Sequence, residues 1–147
     1  MVVRRVVSGG RPDDESVLAR ASRALTQLYN RELRRSGLTM PQFTLLQVLA
    51  RVGTVTKGGL GRILVLDGTL LSRTLRSLKK KRWIRTRVGK DARERQIELT
   101  ATGRAKLERA TPAWNRAQHR VIAQIGDERW NALMVELTFV AGITRNT

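Results

Sequence analysis

The sequence has no cysteine and only one histidine among its 147 residues. Without cysteine there are no disulfides, no thiolate catalysis, no cysteine-ligated zinc and no thiol-based redox sensing. His119 alone cannot build a histidine-based metal site, so we expect neither a metal nor a cofactor. The sequence also has no nucleophile, histidine and acid set and no phosphate-binding glycine loop, which argues against an enzyme.

Long apolar segments are also missing. No run of 18 apolar residues occurs. The first residues, MVVRRVVSGG, carry too much charge for a signal peptide, and their apolar stretch is too short for one. We therefore expect a cytoplasmic protein that does not contact membranes. With 41% apolar and 28% charged residues, the chain has the composition of one soluble globular domain with a substantial core.

Acidic residues are scarce. Twelve acids face 29 lysines and arginines, which gives a net charge of +17. Such a surface is expected to attract a polyanion. A basic protein of membrane surfaces would share this charge, but the sequence shows no amphipathic helix designed to expose bulky apolar residues.

The densest charge lies between Asp67 and Leu99. Asp67 is a good helix N-cap, and Leu71, Leu75 and Leu78 follow at i, i+4 and i+7, which predicts a helix with one apolar stripe. The other side carries small polar groups near the helix start and cations further along, as a helix that enters the major groove requires. The outward positions are Thr69, Leu70, Ser72, Arg73, Arg76, Ser77, Lys79 and Lys80.

After Lys81 the pattern alternates with period two. It predicts strands at 84–88 and 96–99 joined by a charged connector at 89–95, which together form a basic β-hairpin. From Arg73 to Arg95 there are eleven basic residues and two acids. A solvated helix face would explain a charge run, but it would normally include acids at i+4. No acid occurs between Arg73 and Lys90, so the pattern favours nucleic-acid contact.

The remaining segments predict supporting helices. Residues 1–13 read as a flexible arm, and Asp13 or Asp14 is expected to cap a helix that Gly37 ends. Thr39 and Gln42 form a capping box for a second helix, Thr54–Val55 a very short strand, and Thr56 the cap of a short third helix. A long helix runs to Ile125, with a kink expected at Pro112, and a last helix starts at Asp127.

These features, in this order, resemble the MarR (multiple antibiotic resistance regulator) family of winged helix-turn-helix regulators over residues 14–142. Five motifs at the appropriate separations carry the resemblance. They are Leu38-Thr39-x-x-Gln42-Phe43-x-x-Leu46, Asp67-x-Thr69-x-Leu71-Ser72-Arg73-x-Leu75-x-x-Leu78, Trp83-Ile84-x-Thr86, Asp91-x-Arg93-x-Arg95, and Leu99-Thr100-x-x-Gly103-Arg104.

The resemblance implies a mainly α fold with a small β-hairpin wing (α+β), in which 38–100 form the winged helix-turn-helix and 14–37 and 101–142 the dimerisation helices. It also implies a homodimer whose recognition helices enter successive major grooves of an inverted repeat in double-stranded DNA, while the wings reach minor grooves. Asp91 would orient an arginine or shape the wing turn. The predicted DNA contacts are Thr69, Leu70, Ser72, Arg73, Arg76, Lys80, Arg87, Lys90, Arg93 and Arg95.

Three departures from the family pattern stand out. Arg82 occupies a turn position where the family usually has glycine, which predicts a strained or altered turn. Leu70 replaces a small polar residue on the reading face, where it would pack on a thymine methyl or be buried. Three glycines, Gly58, Gly59 and Gly61, weaken the short third helix.

The family resemblance further implies a cleft for a small aromatic acid, lined by Tyr29, Phe43, Trp114 and His119, with an arginine matching the carboxylate. Packing in the core or the dimer interface is the plainer role for the three aromatic residues. The predicted function is a dimeric, sequence-specific transcriptional regulator, a repressor released by such an effector. The alternative is a sequence-independent architectural DNA-binding protein, which the charge also permits. RNA binding is disfavoured because the sequence shows no aromatic stacking platform.

Overall fold

The computed structural model describes the backbone of residues 12–143 and the side chains from residue 17 onward. Six α-helices and three β-strands make up this part of the chain, with one 3₁₀ turn at Arg34–Ser36. The elements are α1 (Pro12–Leu33), α2 (Met40–Val52), β1 (Thr54–Thr56), α3 (Lys57–Leu64), α4 (Gly68–Lys80), β2 (Ile84–Val88), β3 (Arg95–Leu99), α5 (Ala101–Ile125) and α6 (Asp127–Ile143).

Side-chain caps define where four helices begin. Thr39 and Gln42 form the predicted capping box of α2, in which each side chain accepts a hydrogen bond from the other residue's backbone N–H. Single oxygens of Thr56, Asp67 and Thr100 accept backbone N–H bonds at the starts of α3, α4 and α5. Because these caps satisfy N–H groups that have no partner inside the helix, they fix the chain entry to each helix.

The wing belongs to a three-stranded antiparallel sheet with the order β1-β3-β2. The short strand predicted at Thr54 pairs with β3, with Val55 opposite Ile97. β2 pairs along the other side of β3, from Ile84 opposite Leu99 to Val88 opposite Arg95. β1 pairs with the base of the β2–β3 hairpin and also contacts α2 and α3. It therefore anchors the base of the hairpin to the helical core, and the tip of the hairpin projects from it.

α2 lies at the centre of the core. It buries Phe43, Leu45, Leu46, Val48 and Leu49, more than one apolar stripe would provide, because α1, α4, α5 and the sheet all pack around it. The core continues into every other element except α6. Residues 38–100, which we call the reading head after their predicted role, therefore pack as one unit around α2.

The start of the first helix differs from the sequence-based expectation. Asp13 and Asp14 lie inside α1, which starts at Pro12, so neither aspartate is its cap; proline suits a first turn because its missing N–H has no helical partner there. As predicted, α5 continues through Pro112 to Ile125. Of the arm predicted for residues 1–13, residues 1–11 lie outside the described residues, and residues 12 and 13 belong to α1.

In the part of the chain that the structure describes, two residues other than glycine adopt the left-handed backbone conformation. Arg82 has φ +60° in the turn after α4, as its replacement of a family glycine suggested, and Val65 has φ +51° in the turn between α3 and α4. A β-branched residue is rarely found there, because its Cβ crowds the carbonyl oxygen. Both turns bracket α4, so backbone strain is stored on either side of the helix predicted to read DNA.

α6 is exposed along its length. It packs on α5, and none of its residues is buried. No helix within residues 12–143 combines the length and the apolar character needed to span a membrane.

Candidate nucleic-acid interface

α4 separates an apolar inner side from a cationic outer side. Leu71, Thr74 and Leu78 are buried, and the Thr74 hydroxyl donates to the Leu70 carbonyl, which satisfies the one buried polar group on this side. Leu70 is half-buried, so its burial lies between the two predicted roles, contact with a thymine methyl and full burial. The residues that are exposed on the outer side are Thr69, Arg73, Arg76, Lys79 and Lys80.

The first turns of α4 border a shallow depression of about 390 Å³. Its lining residues are Gly68, Thr69, Ser72, Arg73 and Arg76, so the structure brings four of the predicted contact residues to one place. Lys57, the first residue of α3, adds a cation to this surface. Its Nζ donates to the Ser72 Oγ at 2.8 Å. Sequence analysis missed Lys57, although a lysine at the first position of the preceding helix was a usable signal.

Ser77 does not belong to the reading face, contrary to its outward assignment. It is half-buried, and its Oγ accepts a hydrogen bond from Gln42 Nε2 at 2.9 Å. Gln42 therefore caps α2 with its oxygen and holds α4 with its nitrogen. This link between α2 and α4 fixes the orientation of the outer side of α4.

Asp91 shapes the wing tip. Its Oδ1 accepts the Arg93 backbone N–H at 3.1 Å, and its carbonyl accepts the Glu94 N–H at 2.9 Å. This local turn projects the exposed side chains of Lys90 and Arg93 from the end of the hairpin. Arg95, predicted in the connector, instead opens β3 opposite Val88, because the turn closes one residue earlier than expected.

Glu98, the fourth residue of β3, contacts two wing arginines. Its carboxylate accepts a hydrogen bond from Arg85 Nε at 2.5 Å and lies 3.5 Å from Arg87 Nη1. The hydrogen bond from Arg85 is the main reason why the pKa of the Glu98 carboxyl lies below its usual value, and the charges of both arginines add to it. The Arg87 side chain is 62% exposed, but it already has a carboxylate partner. A DNA phosphate would have to compete with Glu98 for this guanidinium, which the sequence did not indicate.

The turn between α4 and β2 rests on the start of α5. The Thr100 hydroxyl donates to the Arg82 carbonyl at 2.7 Å, and the Thr100 N–H donates to the Trp83 carbonyl at 3.0 Å. Lys81 and Lys106 place their ammonium groups 4.8 and 5.1 Å from the Trp83 ring. Desolvation, with the nearby charges of Arg109 and Lys81, lowers the pKa of Lys106. The wing and α5 are thus held together at this turn.

The predicted effector residues divide into two groups. Trp114 stacks on Phe43, with ring centroids 4.7 Å apart, and contacts the Tyr29 ring in a tilted arrangement with the centroids 4.2 Å apart. The Tyr29 hydroxyl donates to Gln118 Oε1 at 2.9 Å, and burial raises the pKa of the phenol, so it remains a neutral donor. His119 is exposed on α5. The three rings form part of the packed interior between α1, α2 and α5.

Comparisons with known proteins agree with this geometry. The model of the MarR family matches residues 36–94, the segment from the end of α1 to the wing tip. The crystal structure of the M. tuberculosis transcriptional regulator MosR in complex with DNA is 35% identical in sequence, with a TM-score of 0.78 over 89% of this chain and 95% of that one. The chain belongs to the MarR family.

Other relatives of this MarR-family chain are more distant. An uncharacterised HTH-type transcriptional regulator of Bacillus subtilis, YwoH, is 25% identical over 108 residues, which are 74% of this chain and 79% of YwoH. A MarR variant from E. coli complexed with operator DNA is 20% identical, with a TM-score of 0.78 over 89% of this chain and 99% of that one, and shares the fold. The family and its structural relatives are transcriptional regulators, and this chain is not an enzyme.

Proposed function

We propose that this chain regulates transcription in the cytoplasm as a homodimer that reads an inverted repeat in duplex DNA. Family membership makes it a DNA-binding transcriptional regulator. One observation supports the finer proposal most directly: the cationic side of α4 and the tip of the wing are both exposed on the reading head. In this arrangement α4 occupies the major groove, and Arg93 enters the adjacent minor groove, where a narrow groove attracts arginine.

The dimer proposal is supported by the apolar surface of the terminal helices. Val135 and Phe139, four residues apart on α6, are each 68% exposed, and Val17 and Leu18 on α1 are exposed to a similar degree. Exposed bulky apolar side chains on one helix face, as at Val135 and Phe139, favour an interaction site. A second copy is the simplest occupant, because a twofold axis would cover the same helices in both subunits.

Introducing charge on α6 should separate the subunits. With Val135→Glu and Phe139→Glu combined, we expect the mass measured by light scattering to fall from twice the 16.6 kDa of one chain to that of a single chain, because two buried carboxylates would oppose association. Val52→Glu is the matched control, since Val52 is an exposed valine outside the terminal helices, and its mass should remain dimeric. A wild-type mass equal to one chain would exclude the dimer.

We further propose that the regulator is a repressor and that a small aromatic acid releases it. The supporting observation is the trio of Tyr29, Phe43 and Trp114 at the junction of α1, α2 and α5, where the terminal helices meet the reading head. A ligand would replace part of the ring stacking, and it would reach Trp114 first, because that ring is only half-buried. His119 would contribute only from the exposed side of α5.

A thermal-shift screen with benzoic and phenolic acids tests the effector. We expect at least one acid to raise the melting temperature and to weaken DNA binding, since a ligand that binds only the folded protein stabilises it. In Trp114→Leu the same acid should lose its effect. The absence of both stabilisation and DNA release across the screen would contradict the effector proposal while leaving DNA binding untouched.

A further inference from the structure

A cavity between α1 and α5 holds four arginines that DNA reading does not use. Its volume is about 530 Å³, which falls within the range of small-molecule sites, roughly 300–1,000 Å³. Four guanidinium groups and one carboxylate give its lining a net charge of +3. The lining residues are Leu28, Arg31, Glu32, Arg35, Arg116 and Arg120.

The arginines form two pairs, one at the end of α1 and one on α5. Arg31 lies in the last turn of α1 and Arg35 in the 3₁₀ turn that follows it. Arg116 and Arg120 are four residues apart on α5 and share one helix face. Like charges at this spacing repel each other. Within residues 17–143, neither Arg31 nor Arg35 has an ion-pair partner. An anion in the cavity would supply the ion-pair partner that Arg31 and Arg35 lack.

Glu32 demonstrates that the cavity can hold a carboxylate. Its Oε1 accepts a hydrogen bond from Arg120 NH1 at 2.6 Å, and its Oε2 lies 3.9 Å from Arg116 Nε. The Glu32 side chain is only 22% exposed, whereas those of Arg116 and Arg120 are 60% and 66% exposed. Because each guanidinium has five N–H donors, both arginines keep donors for a second anion.

The cavity is separate from the aromatic trio. At 100° per residue, Arg116 and Arg120 lie on one side of the buried Ala117 on α5, and Trp114 and Gln118 lie on the other. The rings pack on the Trp114 side. A ligand of the arginine cavity would therefore differ from the aromatic acid in both place and chemistry.

We propose that this cavity binds a small anion with two or more negative charges, such as a phosphorylated or polycarboxylated metabolite. The planar arginine fork matches carboxylate and phosphate oxygens, and the two pairs, one at the end of α1 and one on α5, can bind both ends of such an ion. The bound ion ties α1 to α5 and stabilises the fold. A singly charged acid leaves one pair unsatisfied and binds more weakly.

Titration calorimetry on the full chain without DNA tests the site, with pyrophosphate and citrate as probes and benzoate and chloride as references at matched ionic strength. We expect one pyrophosphate or citrate per subunit, and the tighter of the two identifies phosphate or carboxylate chemistry. Arg116→Gln combined with Arg120→Gln should weaken binding at least tenfold. Arg109→Gln, an exposed arginine on the same helix outside the cavity, should change it less than twofold.

Glu32→Gln provides a test with the opposite sign. Removing the carboxylate that competes for Arg116 and Arg120 should tighten anion binding about fivefold. The control is Glu108→Gln, which makes the same charge change on α5 outside the cavity and should change the affinity less than twofold. Equal affinities in all variants, or no binding beyond that of chloride, would overturn the site. DNA binding of the double arginine variant should equal wild type when no anion is added, so failure here is distinct from failure of the DNA-reading proposal.

Discussion

Gly103→Ala is expected to destabilise the protein by about 3 kcal/mol or more, the upper part of the range for overpacking. A Cβ at this position would lie 1.9 Å from the Trp83 carbonyl oxygen and 2.8 Å from its carbon. Both atoms belong to the backbone of the turn between α4 and β2, so no side chain can rotate away. The Thr100 hydrogen bonds to Arg82 and Trp83 hold the same contact from the start of α5 and would have to break.

Urea unfolding followed by circular dichroism measures this loss. Gly58→Ala is the control, because it makes the same change in another helix where the new Cβ meets only the Arg62 side chain at 3.6 Å. That control should be neutral or more stable by up to about 1 kcal/mol, since alanine favours helix over glycine. A Gly103→Ala protein within 0.5 kcal/mol of wild type, a margin of roughly the scatter of surface substitutions, would show that α5 does not support the wing in this way.

Arg73→Ala and Arg93→Ala are each expected to abolish operator binding in a gel shift while the dimer stays folded. Each removes one proposed contact per subunit, hence two per dimer, and a lost arginine contact to a base costs about 1–3 kcal/mol. The combined loss is about 2–6 kcal/mol per dimer, which is roughly thirtyfold or more in affinity. Arg73 is exposed on α4 and Arg93 on the wing tip, so neither truncation disturbs the core.

Arg109→Ala serves as the matched control for charge. It removes an equally exposed arginine from α5, away from the proposed reading surface, and should weaken binding only slightly. Light scattering and circular dichroism on each variant establish that it remains a folded dimer. If both Arg73→Ala and Arg93→Ala bind as tightly as wild type, α4 and the wing are not the reading elements.

Local patterns predicted most of the helices and the wing. Thr39 with Gln42, and Asp67, are capping signals that lie within three residues of the N–H groups they bind, so the starts of α2 and α4 were readable. The turn at Arg82, where the family usually has glycine, was predicted to be strained or altered in shape, and Arg82 has a positive φ there. The burial of Leu45 and Val48 could not be predicted from the sequence, because it depends on the elements that surround α2 on several sides.

The electrostatic partners were harder to predict than the cations themselves. Glu98 reaches Arg85 across thirteen residues of a hairpin, and Glu32 reaches Arg120 across 88 residues. Neither pairing has a sequence pattern, since both depend on how strands and helices pack. For the same reason the sequence indicated DNA contact for the basic run from Arg73 to Arg95, but it did not show that Glu98 pairs with Arg85 and Arg87 or that four arginines line a cavity between α1 and α5.

Selection of binding sites from a pool of random DNA duplexes at moderate salt tests the central claim most directly. A dimer whose two α4 helices enter successive major grooves should enrich a single inverted repeat, with half-sites about 34 Å apart along the duplex, roughly one helical turn. A coating protein would bind through phosphates alone and would lose most of its affinity as counterions compete. A selected pool without any repeated motif would contradict the account.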